Sequence, residues 1–279
     1  METLNFCRQI RKQIEDMKLT GMYDRLRTHM PTTDLHTLLE PAVKFTLPMN
    51  GLLIEDKNLR ALDEIEDLRL PYPIVALEFQ RDPAWYDDYT PGGLSDEVRW
   101  PTKIVLLLIE SKAHISLATW SYAMGHWFTL PPVLIPQKNA LYRNAAGEVQ
   151  VAVRAPSDEA MGPYAARKTD LMNDSQAEVT VLLAFLNALA CSNVNIEKLP
   201  PRKSGKKLGA LPFDEYHVLS VLRSSGGGVN HAHADHRSPR EHLRRGHIRR
   251  LQSGSKIWVN AAVINAGSSG KIHKQYALA

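Results

Sequence analysis

Three apolar runs constrain this chain more than anything else in it. Ile74-Val75-Ala76-Leu77-Glu78-Phe79 has the composition of a buried strand. Ile104–Ile109 and His114–Trp120 repeat that pattern, parted only by the charged turn Glu110-Ser111-Lys112, so they read as antiparallel neighbours. Trp127–Ile135 is interrupted by proline and suits a sheet edge. Leu141–Arg143, the turn Asn144–Gly147 and Glu148–Val153 form a hairpin with one wet face, because Val149, Val151 and Val153 alternate with polar or small residues. Asn193–Leu199 and Tyr216–Val221 complete the strands of the body.

Helical spacing is plainest at two places. Leu4, Cys7, Ile10, Ile14 and Met17 recur at three- and four-residue steps, which predicts an amphipathic helix over 3–19 that packs on its own domain. The strongest helix spans about 175–191, with Val179, Leu182, Leu183, Leu186, Leu189 and Ala190 available for burial and Asn173, Asp174 or Ser175 as its cap. Between 20 and 70 the reading is a helical piece over 22–29, a helix from Leu35 to about Phe45 capped by Thr32-Thr33-Asp34 and limited or kinked by Pro41, and an acidic helix within 51–70. Residues 80–101 form a loop rich in aromatics and acids, and 155–175 a polar surface connection. The expected fold is α+β: N-terminal helices followed by a mainly antiparallel sheet with one long packed helix and a C-terminal β-hairpin that completes or extends the sheet. We divide it into a helical part, 1–70, and an α+β domain, 71–279, that ends in a basic segment, 200–279.

The chain has 279 residues, 44% of them apolar and 23% charged, enough for a substantial core and ordinary for a globular protein. Cys7 and Cys191 cannot make a disulfide framework, and both fit buried packing. No apolar stretch of signal-peptide length opens the sequence, and Val179–Cys191 is too short to span a bilayer. The expectation is a cytoplasmic protein without membrane contact.

Charge is distributed unevenly. The net charge is +4, yet residues 200–279 carry 14 lysines and arginines against 4 acids, whereas the rest carries 20 against 26. Seven of the eleven histidines also lie in that last part. A basic end on an acidic body points to a polyanionic partner, nucleic acid above all, or to a solvated surface balanced by the body itself. Its densest stretch runs from His231 to Arg250, with five histidines and six arginines.

His231-x-His233-x-Asp235-His236 matches the H-x-H-x-D-H motif of the metallo-β-lactamase superfamily letter for letter. That superfamily places the motif early and takes further ligands from later strands. Here 43 residues follow, with His242, His247 and His273 and Glu241 as the one acid. A full hydrolase site cannot be assembled from them. The weaker metal alternative is a zinc site of His231, His233 and His236 alone; a polar loop is the competing reading. The loop Pro200–Lys207, with Arg202, Lys203, Lys206 and Lys207, lacks G-x-x-x-x-G-K-[ST] spacing and is no phosphate-binding P-loop.

From Arg240 onward the sequence reads as a ribbon. His247, Arg249 and Leu251 would share one face, Ile248 and Arg250 the other, and Gln252–Ser255 would turn the chain into Lys256–Ile264. Arginine suits phosphate because its planar donor fork engages two oxygens at once. The nucleic-acid-binding candidates are Arg202, Lys203, Lys206, Lys207, Arg240, Arg244, Arg245, Arg249, Arg250 and Lys256. A ribonuclease alternative gives the acid and base roles to His242 and His247, with Arg245 on the phosphate and Tyr216 and His217 on a neighbouring strand. It needs neither metal nor cofactor.

Ser238-Pro239-Arg240-Glu241-His242-Leu243-Arg244-Arg245-Gly246-His247-Ile248-Arg249-Arg250-Leu251, followed by Ile257-Trp258-Val259-Asn260, resembles the C-terminal segment of a family of uncharacterised phage and prophage proteins. Gly205–Leu208 and Tyr216–Leu219 fit the same pattern, whereas His231–His236 does not belong to it. The resemblance covers about 60 residues and none of the first 190. It implies a mobile-element origin and no particular reaction. The resulting expectation is a phage-encoded protein that binds nucleic acid, RNA favoured. A toxin-like ribonuclease and a non-enzymatic binder of a host defence or transcription complex are the alternatives. The oligomeric state is not constrained.

Overall fold

Alternation along the apolar runs decides which face of the sheet each side chain serves. The structure is a computed structural model that describes residues 4–23, 31–51, 53, 68–82, 101–143, 149–199, 214–221, 242–244, 247–259 and 262–264. Its first helix, α1, is Phe6–Leu19. The strands of the body are β1 (Val43–Thr46), β2 (Ile74–Gln80), β3 (Lys103–Glu110), β4 (His114–Ala123), β5 (His126–Thr129), β6 (Val133–Pro136), β9 (Val194–Leu199) and β10 (Tyr216–Val221). They form one eight-stranded sheet in the order β5-β4-β3-β2-β1-β10-β9, with β6 also paired to β4. All its pairs are antiparallel except β1 with β2 and β1 with β10, so the protein is α+β with a mainly antiparallel sheet. A separate hairpin joins β7 (Leu141–Arg143) to β8 (Val149–Val151).

The expected helix over 35–45 is not there. A 3-10 helix, Pro31–Leu39, stops before Pro41, and Val43–Thr46 is the strand at the parallel centre of the sheet. Pro41 has no N–H to donate and disfavours helical geometry at Glu40. Past it, Val43-Lys44-Phe45-Thr46 is β-branched and aromatic, as a strand prefers.

Both faces of the sheet are covered. Val75, Leu77, Phe79, Ile104, Leu106 and Leu108 pack with Val179, Val181, Leu182 and Phe185 of helix α4 (Gln176–Leu189). Ala76, Val105, Leu107, Ala118 and Trp120 face Phe6, Cys7, Ile10 and Ile14 of α1. Each fully buried large apolar side chain contributes about 1.5–3 kcal/mol. Phe6, Ile10 and Ile14 therefore hold α1 far more firmly than its exposed Lys12–Asp16 ion pair, since such pairs are worth about 0–1 kcal/mol.

The stretch 155–175 is more ordered than a polar connection. It holds α2 (Asp158–Met161), a 3-10 segment (Gly162–Arg167) and α3 (Lys168–Asp174), anchored by buried Met161 and Leu171. Ser175 does occupy the position before α4, but its hydroxyl donates to the Leu171 carbonyl at 2.7 Å instead of capping the new helix. Among the described residues no helix is long and apolar enough to cross a membrane. The acidic stretch 54–67 and the aromatic segment 83–100 lie outside the described residues.

Candidate nucleic-acid interface

The C-terminal ribbon is a hairpin of β12 (His247–Arg250) and β13 (Lys256–Val259), paired antiparallel with Ile248 opposite Trp258 and Arg250 opposite Lys256. Its turn closes with Leu251 N–H donating to Ser255 O at 2.8 Å and Gly254 N–H donating to Leu251 O at 2.9 Å. Gly254 has φ +84°, a conformation that strains any residue with a Cβ. Among the described residues the ribbon pairs with no strand of the main sheet, contrary to the expectation that it completes or extends that sheet. Its backbone is met by side chains of the turn between α4 and β9: Asn193 Oδ1 accepts from Trp258 N–H at 2.6 Å, and Asn193 Nδ2 donates to Trp258 O at 2.7 Å. One amide thus imitates the two groups that a neighbouring strand would offer. Ser192 N–H and hydroxyl both donate to Lys256 O, at 2.9 and 3.1 Å. With those groups engaged, β9 cannot extend its own ladder onto β13 at these positions.

Directly opposite residues share a face, and alternate residues along a strand do too. Ile248, Arg250, Lys256 and Trp258 therefore lie on one face, and Arg249 lies on the other with Ile257 and Val259. Three expected cations are thus divided two to one between faces. Arg250 and Lys256 form a like-charge cross-strand pair. Burial lowers the Lys256 ammonium below the usual lysine range, and Arg250 lowers it further. Arg249 and Arg250 are exposed, Lys256 and Trp258 half-buried.

Of the other expected site residues in the basic segment, the structure describes Arg249 and, by backbone alone, His242, Arg244 and His247. His242 and Arg244 belong to β11 (His242–Arg244), which pairs with β14 (Ala262–Ile264), whereas His247 is on β12. The two proposed catalytic histidines therefore stand on different ladders, and their side chains lie outside the described residues, as does Arg245. Arg202, Lys203, Lys206, Lys207 and Arg240 also lie outside them, as do the alternative zinc ligands His231, His233 and His236. No group of three or more metal-ligating residues occurs among the described residues.

Tyr216 and His217, which the ribonuclease reading puts on a neighbouring strand, lie on opposite faces of β10. His217 packs 5.5 Å from the Phe45 ring and 6.2 Å from Tyr72. Tyr216 is fully buried and donates to Glu78 Oε1 at 2.8 Å.

That bond belongs to a polar network under α1 that sequence reasoning missed. Glu78 is fully buried, and its two oxygens accept from Phe6 N–H at 2.8 Å and Cys7 N–H at 2.7 Å, two of the donors left over at the start of α1. The Cys7 thiol lies beside it and favours its charged form. Burial pushes the Glu78 carboxyl above the usual glutamate range against the pull of these donors. Burial and the Glu78 charge push the Cys7 thiol and the Tyr216 phenol up. Beside them, buried Lys44 donates to Glu40 O and Ala42 O at 3.1 Å each and faces Asp214 Oδ2 at 3.7 Å. The signal in the sequence is a lone acid at Glu78 within an apolar strand, and a lone lysine at Lys44 in another. With Glu78, Tyr216 and Cys7 closed to solvent, the network fastens a helix and offers a substrate no way in.

Comparisons of this chain with protein-family models, with curated proteins and with solved structures find no match.

Proposed function

We propose that this is a phage-encoded, cytoplasmic nucleic-acid-binding protein that takes RNA in preference to DNA on its C-terminal ribbon. The observation that carries the reading is the Arg250–Lys256 pair, two cations held directly opposite each other on a two-stranded ribbon. A phosphate between them would turn a repulsion into two charge-assisted contacts and return Lys256 toward its ordinary basicity. Trp258 lies on the same face, and a cation beside an aromatic ring is how splayed single-stranded bases are usually held, which favours RNA. The Asn193 and Ser192 bonds fix the ribbon to the body, so little order has to be gained on binding. Arg202, Lys203, Lys206, Lys207, Arg240, Arg244 and Arg245 would add phosphate contacts from the rest of the basic segment.

Gel-shift titrations of short RNA and DNA over a salt series, with chelator present, test this. Binding should weaken steeply with salt and favour RNA, and Arg250→Ala should lower the salt slope by about one unit. Absence of binding to either polymer at low salt overturns the proposal. Chelator-resistant cleavage that is lost in His247→Ala would make the protein a ribonuclease instead.

A further inference from the structure

We infer that two copies of this chain pair through β9, antiparallel and edge to edge, with Ile196 on the two-fold axis. The main sheet ends in two edges, which are treated differently. At the first, on β5, the Gln13 amide of α1 donates to Trp127 O and accepts from Trp127 N–H, both at 2.8 Å. Beside it on β6, Leu134 N–H donates to Arg154 O at 2.8 Å, and Arg154 N–H donates back to Leu134 O at 2.9 Å. The second edge is β9, and among the described residues nothing bonds the outward backbone groups of 195–199. Such an edge is a template for another strand, and a lysine on it is a common guard. Lys198 is drawn away from that role, because its ammonium pairs with Glu215 Oε2 at 2.6 Å, on the side of the inner neighbour β10.

The residues of β9 select a second β9 as the partner. Asn195 and Glu197 stand on one face, opposite Ser220 and Val218 of β10, and both are exposed. Among the described residues neither side chain has a hydrogen bond or an ion pair. Val194, Ile196 and Lys198 stand on the other face, where Ile196 packs against the main core yet stays half-buried. A two-fold axis through Ile196 sets it against its own copy, Asn195 against the partner's Glu197, and Val194 against the partner's Lys198. Each Asn195 amide then donates to a carboxylate across the axis, once on either side of it, and half-exposed Val194 and Ile196 are covered further. Neighbouring registers fail. Centred on Glu197 or Lys198, the axis sets like charges together and brings in Pro200, which has no N–H to donate. Centred on Asn195, pairing is cut short at Val194, because β13 already lies beside Ser192 and Asn193. The register on Ile196 runs from Val194 to Lys198 and meets neither obstacle.

The test is analytical sedimentation of the nuclease-treated full chain over a concentration series. Wild type should pass from monomer to dimer as its concentration rises. Asn195→Asp, at an exposed position, sets a second carboxylate against the partner's Glu197 and should weaken the dimer about tenfold, whereas Asn195→Lys should tighten it. Mild oxidation should lock Ile196→Cys into a disulfide-linked dimer, since directly opposite Cα atoms lie about 4.5–5.5 Å apart, within disulfide reach. Asn195→Cys, which faces the partner's Glu197, should not be locked, and neither should wild type, whose two cysteines are buried. A chain that stays monomeric at every concentration overturns the inference. So does a dimer that neither Asn195→Asp nor Asn195→Lys alters, or one that oxidation of Ile196→Cys fails to lock, since each would use another surface.

Discussion

The Glu78 network and the C-terminal ribbon both concentrate charged and polar groups, and they treat them in opposite ways. Around Glu78, donors and acceptor are matched inside the protein: two backbone N–H groups, a phenol and a thiol converge on one carboxylate. On the ribbon, two cations are set against each other across the strands. The first arrangement is closed and matched, so it contributes stability. The second gathers charge of one sign on an open face, which suits the recognition of an anion. Burial of an ionisable group therefore does not by itself mark a functional site; the proposed function rests instead on like charges gathered on a fixed scaffold.

The largest effect should come from spoiling the matched side. Glu78→Gln keeps the shape but replaces one acceptor oxygen by an amide donor, which would then face a donor of α1 or Tyr216. One buried polar group is left unpaired, at a cost of about 1–3 kcal/mol. Urea unfolding at neutral pH should show that loss, while nucleic-acid affinity measured on the folded protein stays at the wild-type value. An equal loss of affinity would mean that the two regions are not separate.

The same residue makes a pH prediction. The folded-state pKa of Glu78 lies above its ordinary value of 4.5, so the folded protein holds this proton more firmly than the unfolded chain does. Its contribution is fully present below 4.5 and is lost as pH rises through the raised value. The amide of the Glu78→Gln variant cannot titrate. The stability gap between wild type and that variant should therefore be widest in the acid range and narrow as pH rises, in unfolding curves taken across that window. A gap that widens with pH would show that the carboxyl is held below its ordinary value.

What can be read from the sequence follows the range of the interactions involved. Strands β2, β3 and β4 are legible because each is an apolar run whose partner lies one turn or one loop away. Helices α1 and α4 are legible from spacing alone. Strand β1 is hidden because Leu35–Phe45 also fits helical spacing, and only its parallel partners, β10 and β2, make Val43–Thr46 a strand. The ribbon's alternation is plain in the sequence, but its attachment is not. That rests on Asn193, whose amide lies 65 residues away from Trp258 in the chain and has no local pattern to announce it. Glu78 is visible as an acid among apolar residues, yet nothing nearby says that the start of α1 comes to meet it.

Asn193 separates attachment from charge. Asn193→Ala removes both bonds to Trp258 and should loosen the ribbon locally by about 1–2 kcal/mol. Hydrogen exchange should detect this as roughly tenfold faster exchange at the Trp258 amide, with the amides of β2 and β3 unchanged. Nucleic-acid affinity should fall because the ribbon then has to be ordered on binding, while the slope of affinity against salt, which counts phosphate contacts, stays the same. An altered slope would mean that Asn193 positions cations as well as backbone.

Arg250→Ala should have the smallest effect on the free protein and is the sharpest probe of the contrast. The side chain is exposed, so its removal should shift stability by no more than about 0.5 kcal/mol. Burial is the main cause that lowers the Lys256 ammonium and remains in the variant, so loss of the Arg250 charge should bring it only part of the way back toward the ordinary lysine range in a titration followed by NMR. A residue whose loss leaves the fold intact, and costs affinity for a polyanion, is retained for what it binds. If Arg250→Ala instead destabilises the protein as Glu78→Gln does, the pair is part of the structural network and the ribbon loses its claim to be the site.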